Sequence, residues 1–79
     1  MVIKVLGPGC MNCQKLEVLA HKAVEQLGLD AEIVKVTDIG QIMAYGVMST
    51  PALVIDEKVV LAGRVPSLDE VVSVLQRAQ

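Results

Sequence analysis

Two cysteines separated by two residues lie at the junction between a short apolar run and a long helical pattern. The run Val2–Leu6 is rich in β-branched residues and is ended by a Gly-Pro-Gly segment, which predicts a mostly buried strand. Apolar residues then recur at helical spacing over Met11–Leu27, and Gly28 supplies a C-terminal stop. Cys10 and Cys13 are therefore expected where a strand ends and a helix begins.

The middle and end of the chain predict three more strands. Residues 31–36 suit a solvated edge strand, because Glu32 and Lys35 interrupt their apolar character. Residues 52–55 and 59–62 are apolar runs separated by three polar residues, Asp-Glu-Lys. This pattern predicts an antiparallel hairpin with a three-residue loop.

Two further helices are predicted from capping-box spacing. Asp38 followed by Gln41 opens a short helix that ends near Gly46, and Ser67 followed by Glu70 opens a C-terminal helix. Three apolar residues of the short helix share one face: Ile39, Ile42 and Met43.

The element order βαβαββα predicts an α/β domain with a mixed sheet. A crossover through a long helix makes the first two strands parallel, whereas the final hairpin is antiparallel. Helices on both faces of the sheet then give three layers. The 79 residues suffice for a single domain, residues 1–79.

Composition excludes several classes of function. The formal charge is −2, the basic residues form no cluster, and Tyr45 is the one aromatic residue, so nucleic acid is a poor candidate ligand. No apolar stretch approaches the roughly 20 residues of a membrane helix, and no export signal is recognised. We therefore expect a cytoplasmic monomer in a reducing compartment, without a large organic cofactor.

The position of the cysteine pair predicts redox chemistry. The first turn of a helix stabilises an anion, so the pKa of a thiol at Cys10 should fall below about 8.5. A thiolate at Cys10 could attack a disulfide, and Cys13, on the buried face of the helix, could resolve the mixed disulfide.

Other interpretations of the pair remain open. The thiols could be idle or joined by an adventitious bridge. They could also bind a soft ion such as Cu(I) or Zn(II), with Met11 and Met48 as further candidate ligands. A docking module that no longer turns over is a third possibility.

Three other residues invite a functional interpretation that we consider weaker than a structural one. His21 is interpreted as a solvated partner of Glu17 rather than a ligand or base. Arg64 is interpreted as a surface charge rather than a contact for an acidic partner. Tyr45 is expected to pack at the end of the short helix.

The whole chain resembles the short, glutaredoxin-sized members of the thioredoxin fold, and is most similar to the small redox-active disulfide proteins of archaea and bacteria. The resemblance rests on four segments: Gly7-Pro8-Gly9-Cys10-Met11-Asn12-Cys13, Val36-Thr37-Asp38-Ile39, residues 46–56 with Thr50-Pro51, and Ala62-Gly63-Arg64-Val65-Pro66-Ser67.

The resemblance implies a thioredoxin fold with strand order 2-1-3-4 and a cis bond between Thr50 and Pro51. It implies a thiol–disulfide oxidoreductase in which Cys10 is the nucleophile and Cys13 resolves. Thr50 and Pro51 would hold the substrate chain, and Gly63 would complete the groove. The implied partners are protein disulfides and a thioredoxin-reductase-like flavoprotein or ferredoxin-linked reductase, with no bound cofactor or metal.

The chain departs from the family pattern at three places. Gly9 stands where ordinary thioredoxins have tryptophan before the first cysteine, and Met11-Asn12 replaces Gly-Pro between the cysteines. Lys4 occupies the position of the buried carboxylate that larger thioredoxins use in proton transfer. The acidic turn through which glutaredoxins bind glutathione is missing from residues 62–67.

Overall fold

The computed structural model describes residues 1–9 and 11–78, in which the chain forms four strands and three helices. The strands are β1 (Val2–Leu6), β2 (Glu32–Val36), β3 (Ala52–Ile55) and β4 (Lys58–Ala62). The helices are α1 (Met11–Leu27), α2 (Ile39–Ala44) and α3 (Leu68–Arg77). The predicted order βαβαββα is confirmed.

The described strands form one mixed sheet in the order β2-β1-β3-β4. β1 pairs in parallel with β2 and antiparallel with β3, while β3 and β4 form the hairpin. The strand order implied by the resemblance is therefore confirmed. β2 lies at an edge, where Glu32 and Lys35 are exposed as predicted.

Apolar side chains cover both faces of the sheet because neighbouring residues of a strand point to opposite faces. On one face α1 packs against α3. The fully buried members of that cluster include Ile3, Leu16, Ala20, Ala23, Leu53, Val71 and Leu75. The opposite face is covered by α2, in a smaller cluster of Leu6, Val36, Ile42, Val47, Ala52 and Val54. Helices on two faces of the sheet confirm the three-layer prediction.

The turn between β3 and β4 is shorter than predicted. Lys58 belongs to β4, so the loop consists of Asp56 and Glu57 alone. Their φ angles are 47° and 72°, and positive φ at both central residues is what a type I′ hairpin turn requires. The prediction of a three-residue loop was wrong because an edge strand tolerates a charged residue such as Lys58.

α2 differs from its predicted form in two details. The carboxylate of Asp38 caps the helix, but it accepts the N–H of Gly40 at 3.2 Å rather than that of Gln41. Of the three residues predicted to share a face, Ile42 is buried, whereas Ile39 and Met43 are 61% and 66% exposed. The helix has six residues, of which Ile42 is the one that is buried.

The two longer helices agree with their predictions. α1 has the predicted bounds, and Val18 is half-exposed on its polar side, as its position in the pattern indicates. Ser67 caps α3, and its hydroxyl accepts the N–H of Glu70 at 3.2 Å. No helix in the described part of the chain is long and apolar enough to cross a membrane.

Candidate redox site

Cys13 lies in the first turn of α1, at the end of the sheet where β1 stops. Its side chain is 5% exposed and is disulfide-bonded in this structure. Its place on the inner face of α1 agrees with the helical pattern. Cys10, the predicted nucleophile, lies outside the described residues and directly precedes the first residue of α1 in the chain.

Gly7 is a site residue that the sequence marked as part of a strand terminator and of the segment matching the family, with no role of its own. A Cβ atom built on Gly7 would lie 2.1 Å from the Sγ and 2.9 Å from the Cβ of Cys13, and 3.9 Å from the Cβ of Thr50. The Gly7 backbone is held in place because its N–H donates to the carbonyl of Val36 at 2.9 Å. Glycine at this position therefore lets the end of β1, the cysteine sulfur and the loop before β3 meet.

The Thr50–Pro51 peptide bond is cis, as the resemblance implied. Thr50 is exposed, and Pro51 is buried at the start of β3. Among folded proteins only about 5–6% of X-Pro bonds are cis, so sequence statistics without the resemblance favour trans here.

Gly63 lies beside the Thr50–Pro51 loop. Its N–H donates to the carbonyl of Pro51 at 2.9 Å, and a Cβ built on it would lie 3.2 Å from the Cβ of Ser49. Its φ of +80° favours glycine, since other residues rarely adopt that conformation. The fold thus brings Cys13, Thr50, Pro51 and Gly63 to one end of the sheet.

An apolar groove of about 530 Å³ begins at Thr50 and runs along α2. Its lining includes Pro8, Ile39, Met43, Val47, Met48 and Thr50. Met48 is 98% exposed. Met48, which the sequence offers as a candidate soft-metal ligand, lies on the rim of this groove.

A second, smaller cavity of about 90 Å³ adjoins Cys13 on the side of β2. Cys13, Gln14, Glu17 and Lys35 line it. The ammonium of Lys35 lies 3.5 Å from one carboxylate oxygen of Glu17. The imidazole of His21 lies 4.0 Å from the other, as the predicted pairing of His21 with Glu17 requires.

Lys4 points to the α2 side of the sheet, where it joins distant parts of the chain. Its ammonium donates to the carboxylate of Glu57 and to the hydroxyl of Tyr45, each at 2.6 Å. These hydrogen bonds, that to Glu57 first, raise the pKa of Lys4 to about 12. The same contacts lower the pKa of Glu57. Tyr45 packs at the end of α2 as expected, where it is the C-cap residue, and its hydroxyl donates to the carboxylate of Glu57 at 3.0 Å.

Arg64 is paired within the chain. Its guanidinium makes a two-pronged ion pair with the carboxylate of Glu70, with one contact at 2.8 Å. The hydrogen bonds to Arg64 lower the pKa of Glu70. The interpretation of Arg64 as a surface charge agrees with this geometry. Among the described residues, no group of three or more His, Cys, Asp and Glu side chains is arranged to hold a metal ion.

Comparison with known proteins identifies relatives that span most of this chain. A family profile described as a thioredoxin domain matches residues 1–76. A protein named thioredoxin from Methanocaldococcus jannaschii is 44% identical over 71 residues, which cover 90% of this chain and 81% of that protein. Another of the same name, from Methanothermobacter thermautotrophicus, is 41% identical over 75 residues, covering 95% of this chain and 97% of that protein.

Proposed function

The chain belongs to the thioredoxin family, and we propose that it reduces protein disulfides through the dithiol of Cys10 and Cys13. Family membership establishes a thioredoxin-like redox function. The proposal adds the direction of electron transfer, the class of substrate and the residues that react. The observation that supports it best is the meeting of Cys13, Gly7 and the cis Thr50–Pro51 loop at one end of the sheet.

The reaction proceeds in two exchange steps that move two electrons. The Cys10 thiolate attacks one sulfur of a substrate disulfide, and the other substrate sulfur leaves as a thiolate that takes up a proton. Cys13 then attacks the Cys10 sulfur, and the second substrate sulfur is released in the same way. The protein ends with a Cys10–Cys13 disulfide, and the substrate gains two thiols.

The position of Cys10 before α1 favours the first step. The N-terminal turn of a helix has unpaired N–H groups and a partial positive charge, which stabilise a thiolate placed there. Cys13 is buried one turn further along the helix, so a substrate disulfide has little access to its sulfur. This burial supports a resolving role for Cys13, which leaves Cys10 as the proposed nucleophile.

The substrate is an extended polypeptide segment that lies across the Thr50–Pro51 loop. Thr50 is exposed just before β3 begins and can offer its backbone to a substrate chain. Gly63 has no side chain to obstruct the approach next to that loop. The apolar groove along α2 accepts side chains flanking the disulfide, since methionine adapts its shape to varied partners.

Regeneration of the dithiol requires an external reductant. We propose a flavoprotein of the thioredoxin-reductase kind or a ferredoxin-linked reductase as the electron donor. Residues 62–67 contain no acidic residue of the kind through which glutaredoxins bind glutathione, which argues against glutathione as the reductant.

The Cys13→Ser and Cys10→Ser variants test the proposal directly. We expect Cys10→Ser to abolish reduction of a protein disulfide such as that of insulin. Cys13→Ser should accumulate a covalent Cys10–substrate complex, because nothing resolves it. The complex is measured as a dithiothreitol-sensitive species by non-reducing electrophoresis and mass spectrometry.

Activity of Cys10→Ser equal to that of the unmodified protein would refute the assignment. Tight one-to-one binding of Cu(I) or Zn(II) that survives chelator competition, without disulfide exchange, would instead favour the soft-metal alternative.

A further inference from the structure

We propose that Glu17 is the general base that accepts the thiol proton of Cys13 when this cysteine resolves the mixed disulfide. Lys35 is the positioning residue that holds the Glu17 carboxylate. The inference rests on the proposed function and adds a catalytic residue to it. Neither residue belongs to the C-x-x-C segment or to the Thr50–Pro51 loop.

When Cys13 resolves the mixed disulfide, its thiol needs a proton acceptor nearby. The thiolate is the attacking species, and burial in apolar surroundings disfavours its formation. Cys13 is 5% exposed, so bulk water has little access to its sulfur. Lys4, at the position where larger relatives have a carboxylate, points to the α2 side of the sheet and is engaged by Tyr45 and Glu57.

Glu17 lies on the same side of α1 as Cys13. Residues four apart on a helix are neighbours on its surface, with about 5–6 Å between their Cβ atoms. Both side chains line the cavity of about 90 Å³. That volume has room for a water molecule between them, and a general base can act through one water.

The carboxylate of Glu17 is held by contacts from two elements. Lys35 of β2 lies 3.5 Å from one oxygen, and His21 of α1 lies 4.0 Å from the other. The Glu17 side chain is 22% exposed, so it connects the cavity with solvent. Within the described residues, the titratable groups facing it are Lys35, His21 and Cys13.

The Cys13 proton passes through one water to Glu17, and the Cys13 thiolate attacks the Cys10 sulfur. The Cys10–Cys13 bond forms as the bond between Cys10 and the substrate sulfur breaks. The substrate sulfur leaves with the electron pair and takes a proton from solvent, and Glu17 returns its own proton to solvent.

Reaction of the reduced protein with dithiobis(nitrobenzoate) separates the two exchange steps. Attack by Cys10 releases one thionitrobenzoate at a rate that depends on reagent concentration. Attack by Cys13 on the resulting mixed disulfide releases a second thionitrobenzoate at a rate that is independent of reagent concentration. Stopped-flow absorbance records both phases in one sample, and Cys13→Ser identifies the second phase by removing it.

We expect Glu17→Gln to slow the second phase about tenfold or more near neutral pH and to leave the first phase unchanged. The deficit should shrink above the ordinary thiol pKa of about 8.5, where hydroxide ionises the thiol without help. Glu17→Asp should recover part of the rate. The matched control is Glu25→Gln, an exposed glutamate on the same helix, which should leave both phases at wild-type rates.

Equal second-phase rates in Glu17→Gln and Glu25→Gln would overturn the assignment. Slowing of both phases together would also overturn it, because a purely structural role of the Glu17–Lys35 pair would disturb the whole site. A wild-type protein that shows no first phase would contradict the proposed function itself, which is a distinct result.

Discussion

At Gly7 the space available for a side chain is smaller than a methyl group. The Sγ of Cys13 would lie 2.1 Å from an added Cβ, far inside any normal contact distance. Both atoms belong to anchored elements, since Gly7 is hydrogen-bonded to Val36 and Cys13 is in the first turn of α1. The geometry of the redox site therefore depends on a residue that performs no chemistry.

Gly7→Ala is expected to lower the free energy of unfolding by about 1–3 kcal/mol, because overpacking forces the cysteine or the strand end to move. Chemical denaturation of the oxidised protein measures this change in the free energy of unfolding. The matched control is Gly40→Ala in α2, where an added Cβ would lie 3.6 Å from a carboxylate oxygen of Asp38, an ordinary contact. Gly40→Ala should be neutral or stabilising by up to about 1 kcal/mol. Equal stability of the two variants would contradict this account of Gly7.

At the scale of a single element, α2 packs one apolar side chain against the sheet and leaves two others exposed. Ile42 anchors the helix to the sheet, while Ile39 and Met43 remain exposed along the groove that begins at Thr50. Exposed apolar side chains in a contiguous patch mark a binding surface more often than a defect. The predicted apolar face of α2 is therefore only partly covered, and its uncovered part borders the groove.

Replacement of Met43 and Met48 by glutamine should raise KM for a protein disulfide about three- to tenfold, because apolar contacts with the substrate chain are lost. The rate with dithiobis(nitrobenzoate) should not change, since this small disulfide does not fill the groove. Val59→Gln is the matched control, because Val59 is also an exposed apolar residue but lies on β4 away from the groove. An unchanged KM for the double variant would exclude the groove from substrate binding.

At the scale of the whole molecule, Lys4, Tyr45 and Glu57 connect three separate parts of the fold. Lys4 lies on β1, Tyr45 caps α2, and Glu57 is in the turn between β3 and β4. The contacts span 41 and 53 residues of sequence. These contacts tie α2 and the turn between β3 and β4 to β1.

The shifted pKa values of Lys4 and Glu57 predict the direction in which the free energy of unfolding changes with pH. The pKa of Glu57 is lowered in the folded protein, so its stabilising effect is complete above the ordinary carboxyl pKa of about 4.5. It is lost as the pH falls through the lowered folded value, because protonation removes the charge that Lys4 contacts. The effect of Lys4, whose pKa is raised to about 12, is lost only as the pH rises through that value.

Denaturation between neutral pH and about pH 2 tests this prediction. Glu57→Gln should lose less stability on acidification than the unmodified protein. Lys4→Met should also lose less, because it removes the other partner of the pair. Glu25→Gln removes a glutamate charge outside the network and controls for the change in net charge. Identical acid profiles for Glu57→Gln and the unmodified protein would show that the pair contributes nothing to folding.

The sequence by itself determined the element order, the bounds of α1 and the position of the cysteine pair, because these depend on local periodicity and on nearby glycines. It also identified Asp38 and Ser67 as caps, since capping acts over two or three residues. The resemblance added the strand order and the cis bond at Thr50–Pro51.

Only the tertiary structure decided which residues meet around the site. Gly7 against Cys13, Gly63 against Ser49, and Glu17 with Lys35 are contacts between elements, and no periodic pattern within one element specifies them. The exposure of Ile39 and Met43 likewise depends on how α2 packs against the rest of the fold. Local preference acts over a few residues, whereas the distances between side chains of a site depend on how whole elements pack.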